Sequence, residues 1–182
     1  MKIAIISDTH GNAANFKKVI NWLNKNNISL ILHCGDIGSP ESLKESLADF
    51  KGDFFGVLGN MDKDYKIRLE EYNKIPRVKI NEDILETEIE NPSAGSGQVK
   101  IAITHKPKPA KKLAESGRYD LIFYGHTHKP CLARRSFSKG GGRKKECLLI
   151  NPGELAGQFY KPTFAVYDTD IDKLELKILE KL

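Results

Sequence analysis

Cysteine is scarce in this 182-residue chain. There are three, Cys34, Cys131 and Cys147, an odd number, scattered, with no C-x-x-C pair. That argues against a thiolate zinc site and predicts free thiols kept in a reducing compartment. Long apolar runs are missing as well. The opening MKIAIISDTH turns polar after four apolar residues, too few for a signal-peptide core, and no later run could span a bilayer. The cytoplasm is therefore the expected location. Charge of one sign is not extreme. A net +5 tolerates anionic partners but falls short of a dedicated nucleic-acid binder. No internal repeat and no linker breaks the chain, so its length predicts one domain, 1–182. With 40% hydrophobic and 29% charged residues, the composition is that of a globular protein.

What is present begins with alternating strands and helices. KIAIIS and LILHC are short apolar runs that read as buried strands, and DFFGVLG reads as a third. Between the first two, Phe16, Val19, Ile20 and Leu23 recur at helical spacing, with Trp22 at the flank of that face. Between the second and third, Ser39-Pro40 predicts a capped helix carrying Leu43 and Leu47 on one face. The pattern is that of a parallel sheet covered by helices. The second half is richer in strands. VKINEDILETEIENPSAGSGQVKIAITH reads as antiparallel strands around a Ser/Gly-rich turn. KPAKKLAESGRY reads as a helix ending at Gly117, and DLIFYG as a strand. CLARRSFSKGGGRKKECLLIN reads as a hairpin, and TFAVYDTD and KLELKILEKL as strands flanking a turn. The expected fold class is α/β: two mixed β-sheets packed face to face with helices outside, a four-layer αββα sandwich.

FYGHTHKP places His126 and His128 two residues apart. On a strand, or in a turn just after one, both imidazoles leave toward one side. Alone, the pair fits a metal site or a surface loop equally well. The other strand ends decide. SDTHG supplies Asp8 and His10, CGDIG supplies Asp36, GNMD supplies Asn60, and ITHKP supplies His105. Five core strands thus deliver seven metal-competent side chains at their carboxyl ends, where open α/β sheets bind ligands. Gly35, Gly59 and Gly125 precede three of these residues and predict sharp backbone turns there. Imidazole, carboxylate and one amide oxygen suit Mn²⁺, Fe²⁺, Ni²⁺ or Zn²⁺. Seven ligands exceed one tetrahedral ion and fit two ions about 3.5–4 Å apart sharing a carboxylate, an arrangement that activates water and clamps phosphate oxygens.

DTH, GD, GN, TH and GHTH, in that order, resemble the calcineurin-like metallophosphoesterase superfamily. The short length, GHTHKP and the later INPGE resemble its small prokaryotic phosphodiesterase branch. The resemblance spans nearly the whole chain. It implies that Asp8, His10 and His128 bind one metal, that Asp36 bridges, and that Asn60, His105 and His126 complete the second. Asp36, Asn60 and His105 would then form the catalytic group. The implied activity is phosphodiester hydrolysis by a metal-bound hydroxide without a covalent intermediate, with Mn²⁺ as the first-choice metal and Ni, Fe or Zn as alternatives. The implied substrate is a phosphodiester small molecule or a short nucleic acid. No membrane association and no obligate protein partner is inferred. The rival reading is a protein-interaction scaffold of the same fold whose metal site is not catalytic, as in the retromer subunit.

Two positions depart from the family pattern. Met61 stands where many members carry a histidine that protonates the leaving group, and Lys106 stands where glycine is common after the strand-end histidine. Asp62 reads either as an acceptor for a metal-bound histidine or as a plain surface turn residue. His33 reads as a packed or supporting histidine. Cys34 reads as a buried thiol that its closeness to Asp36 could make oxidation-sensitive. Arg134, Arg135, Lys139, Arg143, Lys144 and Lys145 crowd the GGG hairpin tip. They form either a solvated tip or a flap that steers polyanions.

Overall fold

The computed structural model describes residues 1–62, 69–92, 97–137 and 145–182. The chain runs β1 (Lys2–Ile6), α1 (Ala13–Lys25), β2 (Leu30–His33), α2 (Pro40–Ser46), β3 (Asp53–Val57), α3 (Leu69–Asn73) and β4 (Val78–Asn81). It continues with β5 (Ile84–Glu90), β6 (Gln98–Thr104), α4 (Pro107–Glu115), β7 (Leu121–Phe123), β8 (Cys131–Phe137), β9 (Lys145–Asn151), β10 (Thr163–Asp168) and β11 (Lys173–Ile178). One sheet has the order β11-β10-β1-β2-β3-β4, with β1 to β4 parallel and β10 and β11 antiparallel at one edge. The other has the order β5-β6-β7-β9-β8, with β6, β7 and β9 parallel between antiparallel edge strands.

The strands are apolar on both faces because both faces are covered. Alternate residues of β1 separate into different cores. Ile3 and Ile5 join Leu32, Ile101, Ile103 and Phe123 between the two sheets. Ala4 and Ile6 join Phe16, Val19, Ile20 and Leu23 beneath α1. A third cluster sets Ala102, Ile122 and Leu149 against Ala110 and Leu113 of α4. Burying one such isoleucine or leucine contributes roughly 1.5–3 kcal/mol. Three cores between four layers make the expected αββα sandwich. The helix starts follow their capping chemistry. Asn12 accepts from the Asn15 N–H, and Ser39 accepts from the Ser42 N–H with Pro40 following. Trp22 packs edge-on against Phe164 at 5.5 Å.

One stretch differs from its sequence reading. VKINEDILETEIE forms two strands of different sheets: β4 pairs with β3, whereas β5 pairs with β6. Two residues, Glu82 and Asp83, carry the chain across. The short α3 was not legible, because its five residues are too few to show a helical period. The Ser/Gly-rich turn at 93–96 and the hairpin tip with Lys139, Arg143 and Lys144 lie outside the described residues. Arg134, at the described base of that hairpin, bonds Glu146 across it at 2.6 Å.

His33 ends β2 fully buried, its ring 5.5 Å from that of Phe54 and 6.3 Å from that of Phe16. The Gly35 N–H donates to its Nδ1, so Nε2 carries the proton and donates to Thr9 Oγ1. Burial, assisted by the charge of His105, lowers its pKa to about 3. Below pH 6.5 the unfolded chain therefore takes up a proton that the folded chain refuses. Its contribution to stability is complete above that pH and declines on acidification by about 1.4 kcal/mol per pH unit. Denaturant unfolding of metal-free protein at pH 7 and pH 4.5 checks this. His33→Gln should lose about 2.5 kcal/mol less stability than wild type between those two pH values. An equal loss would show that His33 is not acid-sensitive.

Candidate metal centre

The residues singled out at the strand ends come together where the two sheets meet. Asp8 and His10 follow β1, Asp36 follows β2, and Asn60 follows β3, all in the first sheet. His105 follows β6, and His126 and His128 follow β7, in the second. Asp8, His10, Asp36, His126 and His128 all have positive φ, between 46° and 69°. They are five of the eight described non-glycine residues in that region. Such conformations cost of order 1–3 kcal/mol each and persist only where the surroundings impose them. Here the surroundings are backbone bonds between loops. The N–H groups of Asp8 and His10 donate to the carbonyls of Gly35 and Asp36, and Gly125 N–H donates to His105 O.

The glycines act differently from their sequence reading. Gly35 does supply a left-handed turn, at φ 97°. Gly59 and Gly125 instead permit close approach: a Cβ would lie 2.0 Å from Asp36 Oδ1 at the first and 1.9 Å from Ser7 Oγ at the second.

Four side chains, Asp8, His10, Asp36 and His128, each offer one ligand atom, all within 4.8 Å of one another. His10 Nε2 lies 3.4 Å from His128 Nε2 and 3.9 Å from Asp36 Oδ2. His128 Nε2 lies 3.4 Å from Asp8 Oδ1. A second group adjoins the first: His105 Nε2 is 2.9 Å from Asn60 Oδ1 and 3.4 Å from Asp36 Oδ2. The ring of His126 stands 5.1 Å from that of His105, and the residue is exposed. Asp36 Oδ2 therefore belongs to both groups, while its Oδ1 is held by the Met61 N–H at 2.8 Å.

The tautomers follow from the outer partners. His105 Nδ1 approaches the Cys34 carbonyl at 2.8 Å, and His128 Nδ1 approaches Glu154 Oε2 at 2.8 Å. Neither oxygen can donate, so each Nδ1 carries the proton and each Nε2 turns a lone pair inward. Lone pairs of nitrogen, carboxylate and amide oxygen thus face one another at 2.9–3.4 Å. Positive charge is the chemical complement of that arrangement, and the donor set fits borderline divalent ions. The electrostatics point the same way, favouring positive charge at His105, a proton included. Burial would push His105 down, but the bond and charge of Asp36 hold it above the ordinary histidine value. Burial would raise Asp36, but His105 and the Met61 N–H hold it below the usual carboxylate range. Burial raises Asp8 despite its 2.5 Å bond from Ser7.

Several supporting groups were not evident from sequence. Glu154, the acid of INPGE, is fully buried and orients His128. Asn151 donates to the Gly125 carbonyl and to Thr127 within the GHTH turn. Asp62 is neither a surface turn residue nor a histidine partner. It is fully buried and accepts from the N–H groups of Ile37, Gly38 and Gly59, tying the β2 and β3 loops together. Cys34 has the surroundings of an unreactive thiol. It is buried, and burial with the charge of Asp8 pushes its thiol well up, away from the reactive thiolate. All three cysteines are free.

The sequence profile of the calcineurin-like phosphoesterase superfamily domain matches residues 1–172. A phosphodiesterase of Methanocaldococcus jannaschii is 32% identical over 184 residues, covering 99% of this chain and 100% of its own. A solved archaeal phosphodiesterase superposes with a TM-score of 0.77 at 28% identity, covering 98% of this chain and 99% of its own. A phosphoesterase from E. coli, at 18% identity and TM-score 0.64 over 98% of this chain and 100% of its own, shares the fold.

Glu154→Gln should weaken metal binding at the Asp8–His10–His128 group by about 10–100-fold, the usual effect of removing an outer carboxylate. Chelator competition measures it. Unchanged affinity would show that Glu154 only closes its own loop.

Proposed function

The chain belongs to the calcineurin-like phosphoesterase superfamily, and from that premise we propose that it is a dinuclear, metal-dependent phosphodiesterase, folded as one domain over 1–182. The observation that carries this is Asp36 Oδ2, which faces His10 Nε2 at 3.9 Å and His105 Nε2 at 3.4 Å. One oxygen between two donor groups is the position of a bridging ligand. Asp8, His10 and His128 would hold one ion, and Asn60, His105 and His126 the other, with Asp36 shared. When bound, two divalent ions supply a nucleophilic water at neutral pH and positive charge for the phosphoryl oxygens. The donor set contains no thiolate, and Mn²⁺ is our first assignment.

The protein's own groups divide the remaining work. Ser7 and the His126 N–H hold Asp8, the Met61 N–H holds Asp36, and Cys34 O and Glu154 hold His105 and His128 in their working tautomers. A groove of about 350 Å³, lined among others by Asn60, Ile84, Thr104, His105 and Lys106, runs beside the second group. It offers an ester substituent room that a phosphomonoester would leave empty. The name of the M. jannaschii relative supports the same substrate class. The complete donor set makes a non-catalytic scaffold the weaker reading. No helix among the described residues is long and apolar enough to cross a membrane. The free cysteines support a reducing, cytoplasmic setting.

Asp36→Asn should abolish hydrolysis of bis(p-nitrophenyl) phosphate and weaken binding of both ions, since an amide cannot balance two dications. Near-normal turnover with two ions bound would refute the bridging role. Met61 leads to a second expectation. Its side chain is 60% exposed and has no proton to give. Asp62 is buried under three N–H groups and cannot replace the missing acid. Unless Lys106, on the same groove, or a water supplies the proton, leaving-group departure is unassisted and log kcat/KM should fall steeply with leaving-group pKa. Met61→His should flatten the slope, raising rates for poor leaving groups by up to about 10²–10⁴-fold. A shallow wild-type slope would reveal another proton donor.

A further inference from the structure

At the His128 end of the donor array stands a feature that holding metal does not require. Phe159 is 74% exposed and Tyr160 49%. The Phe159 ring lies 5.0 Å from the His128 imidazole, tilted 75° to it. Exposed aromatics on a loose loop would mean little. This loop is fixed. The N–H groups of Gln158, Phe159 and Tyr160 all donate to the Glu154 carboxylate, whose Oε2 also receives His128 Nδ1–H. Just before them, the N–H groups of Leu155 and Ala156 donate to the carbonyls of Ser7 and Asp8. The side chains of Asn12, which caps α1, and of Asn15 within it hold the carbonyls of Ala156 and Leu155. One buried carboxylate therefore sets the position of an imidazole facing Asp8 and His10 and of an open aromatic ring beside it.

A preorganised, solvent-facing ring beside a phosphate-binding centre suits a planar partner, because stacking gains most when the platform loses no freedom on binding. We propose that Phe159, supported by Tyr160, is a stacking platform for a nucleobase carried by the phosphodiester, so that the substrates are nucleotidyl esters. This deepens the phosphodiesterase reading and rests on it. The phosphoryl group would lie over the metal-holding residues, with one ester arm turned onto Phe159 and the other toward the groove at Asn60 and Lys106.

Binding measured without turnover tests the platform. Calorimetry on Mn²⁺-loaded protein compares adenosine 5′-monophosphate with ribose 5-phosphate, which has the same phosphate and sugar but no base. Wild type should prefer the nucleotide by between about 5- and 150-fold, the range for stacking one base. Phe159→Ala should bring the two affinities together while leaving that for ribose 5-phosphate unchanged, and Phe159→Trp should restore the preference. The backbone N–H that holds the loop survives both substitutions. An unchanged preference in Phe159→Ala, or equal losses for both ligands, would overturn the platform. Hydrolysis of bis(p-nitrophenyl) phosphate by wild type is scored separately. Absence of turnover with the nucleotide preference intact would count against the enzyme reading and for the platform.

Discussion

Lone pairs gathered at short range require positive charge, and this chain gathers them from five strands. His105 Nε2, Asn60 Oδ1 and Asp36 Oδ2 meet within 3.4 Å, and His10, His128 and Asp8 meet on the other side of Asp36 within 4.0 Å. Nothing about sandwich packing calls for this. The apolar cores already hold the sheets together, and a polar cluster at their seam adds electrostatic repulsion in a partly buried place. The fold counters it with donors aimed at the outer faces of the same groups: the Met61 and His126 amides, the Ser7 hydroxyl, and two histidine N–H groups anchored on Cys34 O and Glu154. These donors fix the outward atoms and leave the inward ones for a cation.

The backbone bears the cost of that convergence. A strand alternates its side chains between the two faces of its sheet. Bringing them inward at the strand end takes left-handed residues, and aspartate and histidine occupy those positions here instead of glycine. Loops of neighbouring strands brace one another across the seam, with Asp62 pinning the loops that carry Asp36 and Asn60. Strain held by many weak bonds is a form of preorganisation.

The sequence was most readable where one physical rule acts alone. Strands β1, β2, β3, β6 and β7 announce themselves as apolar runs, and their polar ends mark the crevice because carboxyl ends of parallel strands open onto one side. It was least readable where a partner far along the chain decides the outcome. Nothing in VKINEDILETEIE shows that β4 and β5 join different sheets, since each would look the same beside either neighbour. Glu154 follows Pro152-Gly153 like any loop acid, and its part in the site depends on His128, 26 residues earlier. Asp62 lies beside the GN motif but serves two loops at once. The glycines were recognisable as special, yet two of three are needed for space and not for a turn, a distinction visible only with Ser7 and Asp36 in place.

The central claim is that Asp36 joins two ions in one site. Electron paramagnetic resonance during titration of metal-free protein with Mn²⁺ tests it directly. The account predicts saturation at two ions per chain, with the spectrum of an exchange-coupled pair, and loss of that coupling in Asp36→Asn. Saturation at one ion, or two uncoupled ions in the wild type, would contradict it.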